Sequence, residues 1–172
     1  MPSLRPHDVA VALQLALTRA LSYRALAQAV GLSQGEVHNA VKRLAFARLV
    51  RQDTRAVHRG ALLEFLTGGV PYAFPAEPGP ETRGVPTAHA GPSLAADFPD
   101  DAPVVWPSVD GRHRGAAVEP LYAGAPDTHR HNPELYDLLT LVDALRIGRA
   151  RERLRARDLL KDRLTAAVDE PR

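Results

Sequence analysis

The stretch Ser22–Val50, SYRALAQAVGLSQGEVHNAVKRLAFARLV, decides the fold that we expect for this chain. Its pattern predicts two short helices, joined by a tight turn and followed by a strand. Ser22 and Ser33 are each placed to cap a helix, and Glu36 follows Ser33 at the spacing of a capping box. Gly31 lies where a helix end requires a left-handed residue, which glycine supplies without a Cβ clash. This order of elements is typical of a helix-turn-helix.

The second predicted helix has one apolar and one polar face. Its apolar residues recur at helical spacing and predict the buried face: Val37, Ala40, Val41 and Leu44. Its polar residues predict the exposed face: Gln34, His38, Asn39, Lys42 and Arg43. In a helix-turn-helix the second helix enters the major groove of DNA, so we expect the polar face to contact DNA. A capped helical hairpin without a DNA role is the alternative.

These residues resemble the DNA-binding core of bacterial winged-helix regulators of the MarR-like kind. The resemblance is carried, in chain order, by Leu26-Ala27, Gly31-Leu32-Ser33, Val37 and Val41-Lys42-Arg43-Leu44. Leu49-Val50 follows as the short strand that opens the wing in that family. The resemblance covers roughly a quarter of the chain. It implies a sequence-specific DNA-binding transcriptional regulator, which we expect to act as a dimeric repressor.

The residues predicted to contact DNA divide by chemistry. Gln34, His38 and Asn39 lie in the N-terminal half of the second helix, where side chains reach base edges and Asn or Gln pairs bidentately with adenine. Gly35 leaves room for a close approach of the helix to DNA. The residues expected to hold the DNA backbone are Ser22, Tyr23, Arg24, Ser33, Lys42, Arg43, Arg51 and Arg55.

The segment after the predicted strand departs from the family pattern. Gln52–Arg55 supplies too few polar residues for a long wing, and Val57–Leu66 is predicted to be a helix that ends at Gly68-Gly69. The wing is therefore predicted to be short or absent. Three arginines here either reach phosphates or belong to a solvated loop and helix face: Arg51, Arg55 and Arg59.

The positive charge of the chain is concentrated around the helix-turn-helix. The net charge is +2 overall, but residues 1–70 carry nine Lys or Arg and four Asp or Glu, a net +5. Residues 71–130 carry four and eight, a net −4, and residues 131–172 carry nine and eight, a net +1. Since phosphate contacts supply most sequence-independent DNA affinity, this asymmetry favours DNA binding by the N-terminal part.

We expect three segments along the chain. Residues 1–69 form the predicted helix-turn-helix domain, 70–131 a lobe rich in Pro and Gly, and 132–168 a C-terminal helical region. Within the first segment, Asp8–Ala20 is predicted to be a helix that is apolar over much of its circumference. Such a helix is buried either in the core or in a subunit interface. The second segment is predicted to open with a strand at Val70–Phe74.

The lobe differs from the other segments in composition. Twelve of the fifteen prolines lie between Pro71 and Pro133, which excludes helix over most of this span. Its apolar residues favour an ordered lobe over a free linker. Val104–Trp106 and Ala116–Val118 flank a turn at Asp110-Gly111, and this arrangement predicts a small hairpin.

The last segment begins with a clear helix start. Asn132-Pro133-Glu134 supplies a cap, a proline for the first turn and an acid at the positive end of the helix dipole. Apolar residues then recur at helical spacing as far as Val168, interrupted at Gly148, so we expect one bent helix or two helices. The arginines from Arg146 to Arg157 interleave with acids. They predict a salt-bridged surface helix or, alternatively, a second surface for DNA or a partner.

The sequence lacks the signatures of several other function classes. Cysteine is absent, and the histidines, among them His129 and His131, lack the spacing of a helical metal site, so we expect no metal and no cofactor. Phosphate loops, dinucleotide fingerprints and nucleophile elbows are also missing, so we do not expect an enzyme. No apolar run is long enough for a bilayer and the first residues lack a secretion signal. We therefore expect a cytoplasmic protein without membrane contact, associated with the nucleoid when bound to DNA.

The expected fold is mainly α, with an N-terminal helix-turn-helix carrying a short or absent wing, a proline-rich lobe with a small β element, and C-terminal helices. We expect a homodimer, built by the first helix or by residues 135–164, that represses by binding double-stranded DNA. The alternative is an antitoxin-like or adaptor protein that binds a protein partner through the lobe and the C-terminal helices. A regulator whose lobe holds a small-molecule effector is a variant of the first hypothesis.

Overall fold

The computed structural model describes residues 2–166, which form eight α-helices and three short strands, a mainly α fold with a small β element as predicted. The helices, α1 to α8 in chain order, are Pro6–Leu17, Tyr23–Val30, Gln34–Phe46, Arg59–Gly68, Val70–Ala73, Thr128–His131, Pro133–Ile147 and Ala150–Ala166. The strands, β1 to β3, are Glu81–Pro86, Val104–Pro107 and His113–Ala117. Among residues 2–166, none of the helices combines the length and the apolar character that crossing a membrane requires.

The predicted caps of α2 and α3 are present. The Ser22 hydroxyl accepts a hydrogen bond from the Ala25 amide at 3.1 Å, and Gly31 ends α2 with a left-handed φ of 81°. The Ser33 hydroxyl accepts from the Glu36 amide at 3.2 Å, while the Glu36 carboxylate accepts from the Ser33 amide at 2.9 Å. These bonds pair amides that the first turn of a helix leaves without partners, so both helices begin where the sequence predicts.

Helix α1 is the buried centre of the N-terminal half. All nine residues from Asp8 to Ala16 are buried, under α2, α3 and α7 of the same chain. The helix ends at Leu17 rather than at Ala20, which has a left-handed φ of 57°. The apolar surface of α1 therefore belongs to the core of this chain. This corrects the expectation that the first helix builds a dimer interface, because its own chain already covers it.

A minimal wing follows α3. Val50 and Val57 form a single antiparallel bridge, supported by a hydrogen bond from the Arg51 amide to the Ala56 carbonyl at 2.8 Å. Helix α4 then begins at Arg59. The wing predicted to be short or absent is thus present in a short form, as one bridge closed by a small loop.

The three strands of the lobe close on one another, and the predicted hairpin is wrong. Strand β1 pairs antiparallel with both β2 and β3, which pair in parallel with each other, with Val104 opposite Ala116. Strands joined by a tight hairpin turn are antiparallel, so the Asp110-Gly111 turn belongs to a crossover instead. Glycine permits this closure, because a Cβ on Gly84 would overlap the carbonyl oxygen of Trp106.

The predicted strand at Val70–Phe74 is also wrong, because Val70–Ala73 forms the single helical turn α5. Pro71 lies in the first turn of α5, where its missing amide is not needed and its fixed φ suits the helix. In a strand the same proline would remove a hydrogen bond from the ladder. Between Phe74 and Asp127, helical structure is limited to the two 3₁₀ turns Ala88–Ala90 and Ala125–Asp127, as the prolines predict.

The C-terminal region consists of two helices, one of the two predicted alternatives. Helix α7 ends at Ile147, and Gly148 is extended, with φ −70° and ψ 158°. The Arg149 amide donates to the Glu152 carboxylate at 2.7 Å, and this bond pairs an amide at the start of α8. Val168, the last apolar residue of the predicted pattern, lies outside the described residues.

A buried polar network fastens the lobe to α7. The Asp143 carboxylate accepts hydrogen bonds from the Thr87 hydroxyl at 2.7 Å and from the Trp106 indole at 2.6 Å. Arg146 pairs with Asp143 at 2.8 Å and donates to the Phe74 carbonyl at 2.8 Å. Burial raises the pKa of Asp143, against the opposing effect of Arg146 and the hydrogen bonds. The buried polar side chains of Thr87 and Trp106 are thus used to hold the lobe against α7.

One hydrophobic core runs through the described part of the chain. Its buried residues come from all three predicted segments, from Val9 in α1 through Trp106 in β2 to Leu164 in α8. The changes of composition near residues 69 and 131 therefore do not interrupt the core. The predicted domain boundaries at these two positions stay predictions.

Candidate nucleic-acid interface

Helix α3 turns its predicted polar face to solvent. The exposed residues of this face are Gln34, His38, Asn39 and Lys42. The residues of the opposite face, Val37, Ala40, Val41 and Leu44, are each at most 2% exposed. Helix α1 packs against that buried face. Within residues 2–166 none of the four exposed side chains forms a hydrogen bond, so their polar atoms are available to a partner.

The start of α3 is open as well as polar. A Cβ built on Gly35 would meet no atom of residues 2–166 within 4 Å. Packing within the chain therefore does not require glycine at this position, and the helix would gain stability from alanine. The absence of a side chain here removes bulk from the face that the sequence predicts to approach DNA. The role of Gly35 as a point of close approach to DNA stays a prediction.

Arg43 is the one member of the predicted set that faces inward, and we correct its role. Its side chain is 13% exposed and lies against the fully enclosed carboxylate of Asp8, with Nε and Nη2 each 2.8 Å from a carboxylate oxygen. The hydrogen bonds to Asp8 raise the pKa of Arg43. Its Nη2 also lies 3.1 Å from Nε2 of His7. A guanidinium held in this way joins α3 to the start of α1 and does not reach a phosphate.

Three predicted residues from three elements meet in what we call the wing cluster: Tyr23 of α2, His38 of α3 and Arg55 of the wing. The guanidinium of Arg55 lies 4.7 Å from the centre of the Tyr23 ring. The rings of Tyr23 and His38 meet edge to face, 5.1 Å apart. A cation over an aromatic face is attracted by the ring quadrupole, so the cluster holds the wing loop beside the exposed face of α3.

The other predicted residues lie at the edges of this face. Ser22, Arg24 and Ser33 are exposed at the starts of α2 and α3, and each serine oxygen accepts from its helix, which leaves the hydroxyl hydrogen for an anion. Arg51 pairs with Asp53 at 3.2 Å, and this bond raises the pKa of Arg51 and lowers that of Asp53. Both side chains are more than half exposed, so the pair is weak and a phosphate competes readily with the carboxylate.

Sequence reasoning missed three residues near this surface. Phe46 is 58% exposed at the end of α3, outside the apolar period of that helix. Arg48 is exposed directly after α3, with a left-handed φ of 63°. Arg19 lies beyond the end of α1 and lines a pocket with residues of the wing. No periodic pattern links Arg19 to the wing, and only the packing of α1 brings them together.

Two histidines of the lobe line a pocket. Within residues 2–166, no group of three or more His, Asp or Glu side chains is placed to hold a metal ion. His113 and His129 line a pocket of about 510 Å³, together with Arg112 and Tyr136. The Tyr136 hydroxyl donates to the Pro86 carbonyl at 2.6 Å, and burial raises the pKa of Tyr136 to about 12. Small-molecule sites span roughly 300–1,000 Å³, so the lobe has room for a small-molecule effector.

No family model, no curated protein and no solved structure matches the chain. The family resemblance of Ser22–Val50 stays a prediction. Function has to be inferred from how the described residues are placed.

Proposed function

We propose that the protein is a sequence-specific DNA-binding transcriptional regulator, with α3 as its recognition helix. The observation that carries the proposal is the division of α3, whose apolar face is buried while Gln34, His38, Asn39 and Lys42 are exposed beside the open Gly35. An amide side chain at the N-terminal half of such a helix pairs with adenine in the major groove. Asn39 is the residue to which we assign the main role in base reading.

The charge around this face supports the proposal. Arg24, Lys42, Arg48 and Arg51 are exposed around α2, α3 and the wing. Of the acids in the same region, Glu36 is used as a helix cap and Asp53 pairs with Arg51. A surface with this excess of cations attracts the DNA backbone, and its affinity falls steeply with salt.

The proposed regulator acts as a homodimer that represses by occupying its operator. One recognition helix reads few base pairs, and two half-sites about one helical turn apart provide the missing specificity. Since α1 and α7 are covered by the chain itself, we assign the dimer contact to the outer side of α8. Leu154 on that helix is 62% exposed and would be covered by a second copy.

The experiment that tests this proposal is genome-wide mapping of DNA bound by the chain in living cells. The wild type is expected to occupy discrete sites in promoter regions. The variant Asn39→Ala is expected to lose these sites while keeping diffuse binding. Uniform occupancy by the wild type, or an unchanged map for the variant, would contradict sequence-specific recognition through α3.

A second candidate function is an antitoxin-like or adaptor role, in which a protein partner binds the lobe and α8. It is favoured by large apolar side chains that are exposed outside the helix-turn-helix, namely Tyr72 at 82%, Val109 at 90% and Leu154 at 62%. Purification of the native chain distinguishes the two functions. An adaptor is expected to carry a stoichiometric partner that survives Lys42→Ala, whereas the regulator is expected to purify without one.

A further inference from the structure

A pocket of about 320 Å³ lies between the wing and the end of α1. Three arginines line it, Arg19, Arg55 and Arg59, and no Asp or Glu among residues 2–166 does so. Its apolar wall is formed by Leu15, Ala20 and Val57. The one acidic residue of the wing loop, Asp53, pairs with Arg51 outside this lining. The pocket therefore concentrates positive charge against an apolar wall.

Arg55, which lines this pocket, also carries an unsatisfied donor. Its Nη1 is the one side-chain nitrogen or oxygen atom within residues 2–166 that is buried and has no hydrogen-bond partner. Buried donors are almost always paired in folded proteins, and an unpaired donor on a charged group is particularly unfavourable. The backbone of Arg55 is itself left-handed, with φ 59°, so the residue is held in an uncommon conformation at this place. Arg55 therefore has hydrogen-bonding capacity that the described residues leave unused.

The other two arginines add positive charge to the pocket and bring no acidic partner with them. Arg59 donates through Nη1 to the Leu164 carbonyl and through Nη2 to the Ala16 carbonyl, both at 2.9 Å. These bonds fix its guanidinium in the wall of the pocket. Burial, and then repulsion from Arg19, lowers the pKa of Arg59. Arg19 is exposed at the mouth. Within the described residues, no carboxylate forms an ion pair with any of these three arginines.

We propose that this pocket binds a phosphate-type oxyanion between Arg19 and Arg55, with Arg59 as a fixed charge behind them. The planar guanidinium fork matches the oxygen spacing of phosphate and donates two parallel hydrogen bonds to it. The apolar wall lowers the local dielectric constant and strengthens this attraction. Two sources supply the same chemistry, the backbone of DNA and a free phosphorylated compound. The site itself does not depend on sequence-specific DNA binding.

The first test is a calorimetric titration of the full chain with inorganic phosphate, against chloride at the same ionic strength. We expect saturable binding of one phosphate per chain and a rise in Tm that chloride does not produce. Arg55→Gln and Arg19→Gln are each expected to weaken phosphate binding by at least roughly tenfold. Arg83→Gln is the matched control, because this exposed arginine of β1 lies outside the pocket and its substitution should leave the affinity unchanged.

Several outcomes would overturn the proposal. One is a wild-type response to phosphate that equals the response to chloride. Another is unchanged affinity in Arg19→Gln, an exposed position where folding is not at risk. The double variant Asp169→Asn, Glu170→Gln controls for acids beyond the described residues and is expected to bind phosphate as the wild type does. If the double variant bound phosphate much more tightly than the wild type, the chain's own carboxylates would be competing with phosphate for the pocket. That result would contradict a site for an external anion.

A competition experiment separates the two sources. Phosphate that displaces a DNA duplex at fixed ionic strength assigns the pocket to a backbone phosphate. Phosphate and duplex that bind together assign it to a free oxyanion. If the chain binds no specific DNA, the proposed function fails, while the phosphate titration still decides on the pocket.

Discussion

The helix-turn-helix and the proline-rich lobe are ordered by different kinds of contact. In α2 and α3, the cap hydrogen bonds of Ser22 and Ser33 join residues three apart in sequence. In the lobe, Thr87 and Trp106 bond to Asp143, which lies 56 and 37 residues away. Within the described residues, the exposed side chains of Gln34, Asn39 and Lys42 on α3 form no hydrogen bond, whereas the buried side chains of Thr87 and Trp106 in the lobe bond to Asp143. The comparison shows that α3 carries hydrogen-bonding side chains that folding does not use and that a ligand could bind.

Removing the anchor of the lobe should have the largest effect. Asp143→Ala leaves Arg146, whose side chain is 5% exposed, without its carboxylate, and also leaves the Trp106 indole unpaired. Breaking a buried ion pair in this way costs about 3–5 kcal/mol. Chemical denaturation measures the loss.

The matched control for Asp143→Ala is Asp97→Ala, which breaks an exposed pair with Arg155. This control should cost no more than about 1 kcal/mol. Equal losses in the two variants would show that the network around Asp143 does not hold the lobe.

The next largest effect is a difference in stability between substitutions at Arg43 and at its neighbour Lys42. Arg43→Ala leaves the Asp8 carboxylate, 1% exposed, without its cation and should cost about 3 kcal/mol of stability. Lys42→Ala, at an exposed position, should change stability by no more than about 0.5 kcal/mol. Thermal or chemical denaturation of both variants measures this difference. A stable Arg43→Ala protein with weakened DNA binding would restore Arg43 to the DNA-contacting set.

A pair of glycine substitutions compares the two regions directly. Gly84→Ala forces a Cβ onto the carbonyl of Trp106 and should cost about 1–3 kcal/mol. Gly35→Ala meets no atom and should stabilise α3 by up to about 1 kcal/mol. The same Gly35→Ala variant is expected to bind DNA more weakly, because in the proposed complex the new methyl group would lie between α3 and the major groove of DNA.

The control for the effect on DNA is Gly60→Ala in α4, where a Cβ also meets no atom within 4 Å. It should leave DNA binding unchanged. Weakening of equal size in Gly35→Ala and Gly60→Ala would remove Gly35 from the interface.

The same contrast explains how much of the molecule could be predicted. The caps, Gly31 and the two faces of α3 follow from spacings of three or four residues, which the sequence displays directly. The pairing of β2 with β3 depends on β1 and on the close approach of Gly84 to the Trp106 carbonyl. No local sequence pattern predicts these contacts. Arg43 was assigned to the wrong side because its partner, Asp8, lies on another helix. The pocket between the wing and the end of α1 could not be predicted either, because it forms only when these two distant segments pack together.

The smallest effect concerns pH. The hydrogen bond from the Ser33 amide lowers the pKa of Glu36 below its ordinary value of 4.5. A carboxylate with a lowered pKa stabilises the fold above the pKa of the unfolded chain, and this contribution is lost as the pH falls through the lower, folded value. The wild type should therefore lose stability relative to Glu36→Gln as the pH falls below 4.5, and not near neutrality. Denaturation of both proteins across this range provides the check, and parallel curves would argue against the capping box.

The central claim is that the exposed face of α3 reads DNA sequence. Its most direct test is the affinity of wild type, Asn39→Ala and Lys42→Ala for a mapped promoter fragment and for random duplex, over a range of salt concentrations. Arg83→Ala, which removes a cation from an exposed site on β1, is the charge-matched control and should leave the affinity for both duplexes unchanged. We expect Asn39→Ala to cost about 1–3 kcal/mol on the promoter only, and Lys42→Ala to weaken both duplexes and reduce the salt slope by about 1. Folded Asn39→Ala and Lys42→Ala proteins that bind both duplexes as the wild type does would contradict the claim.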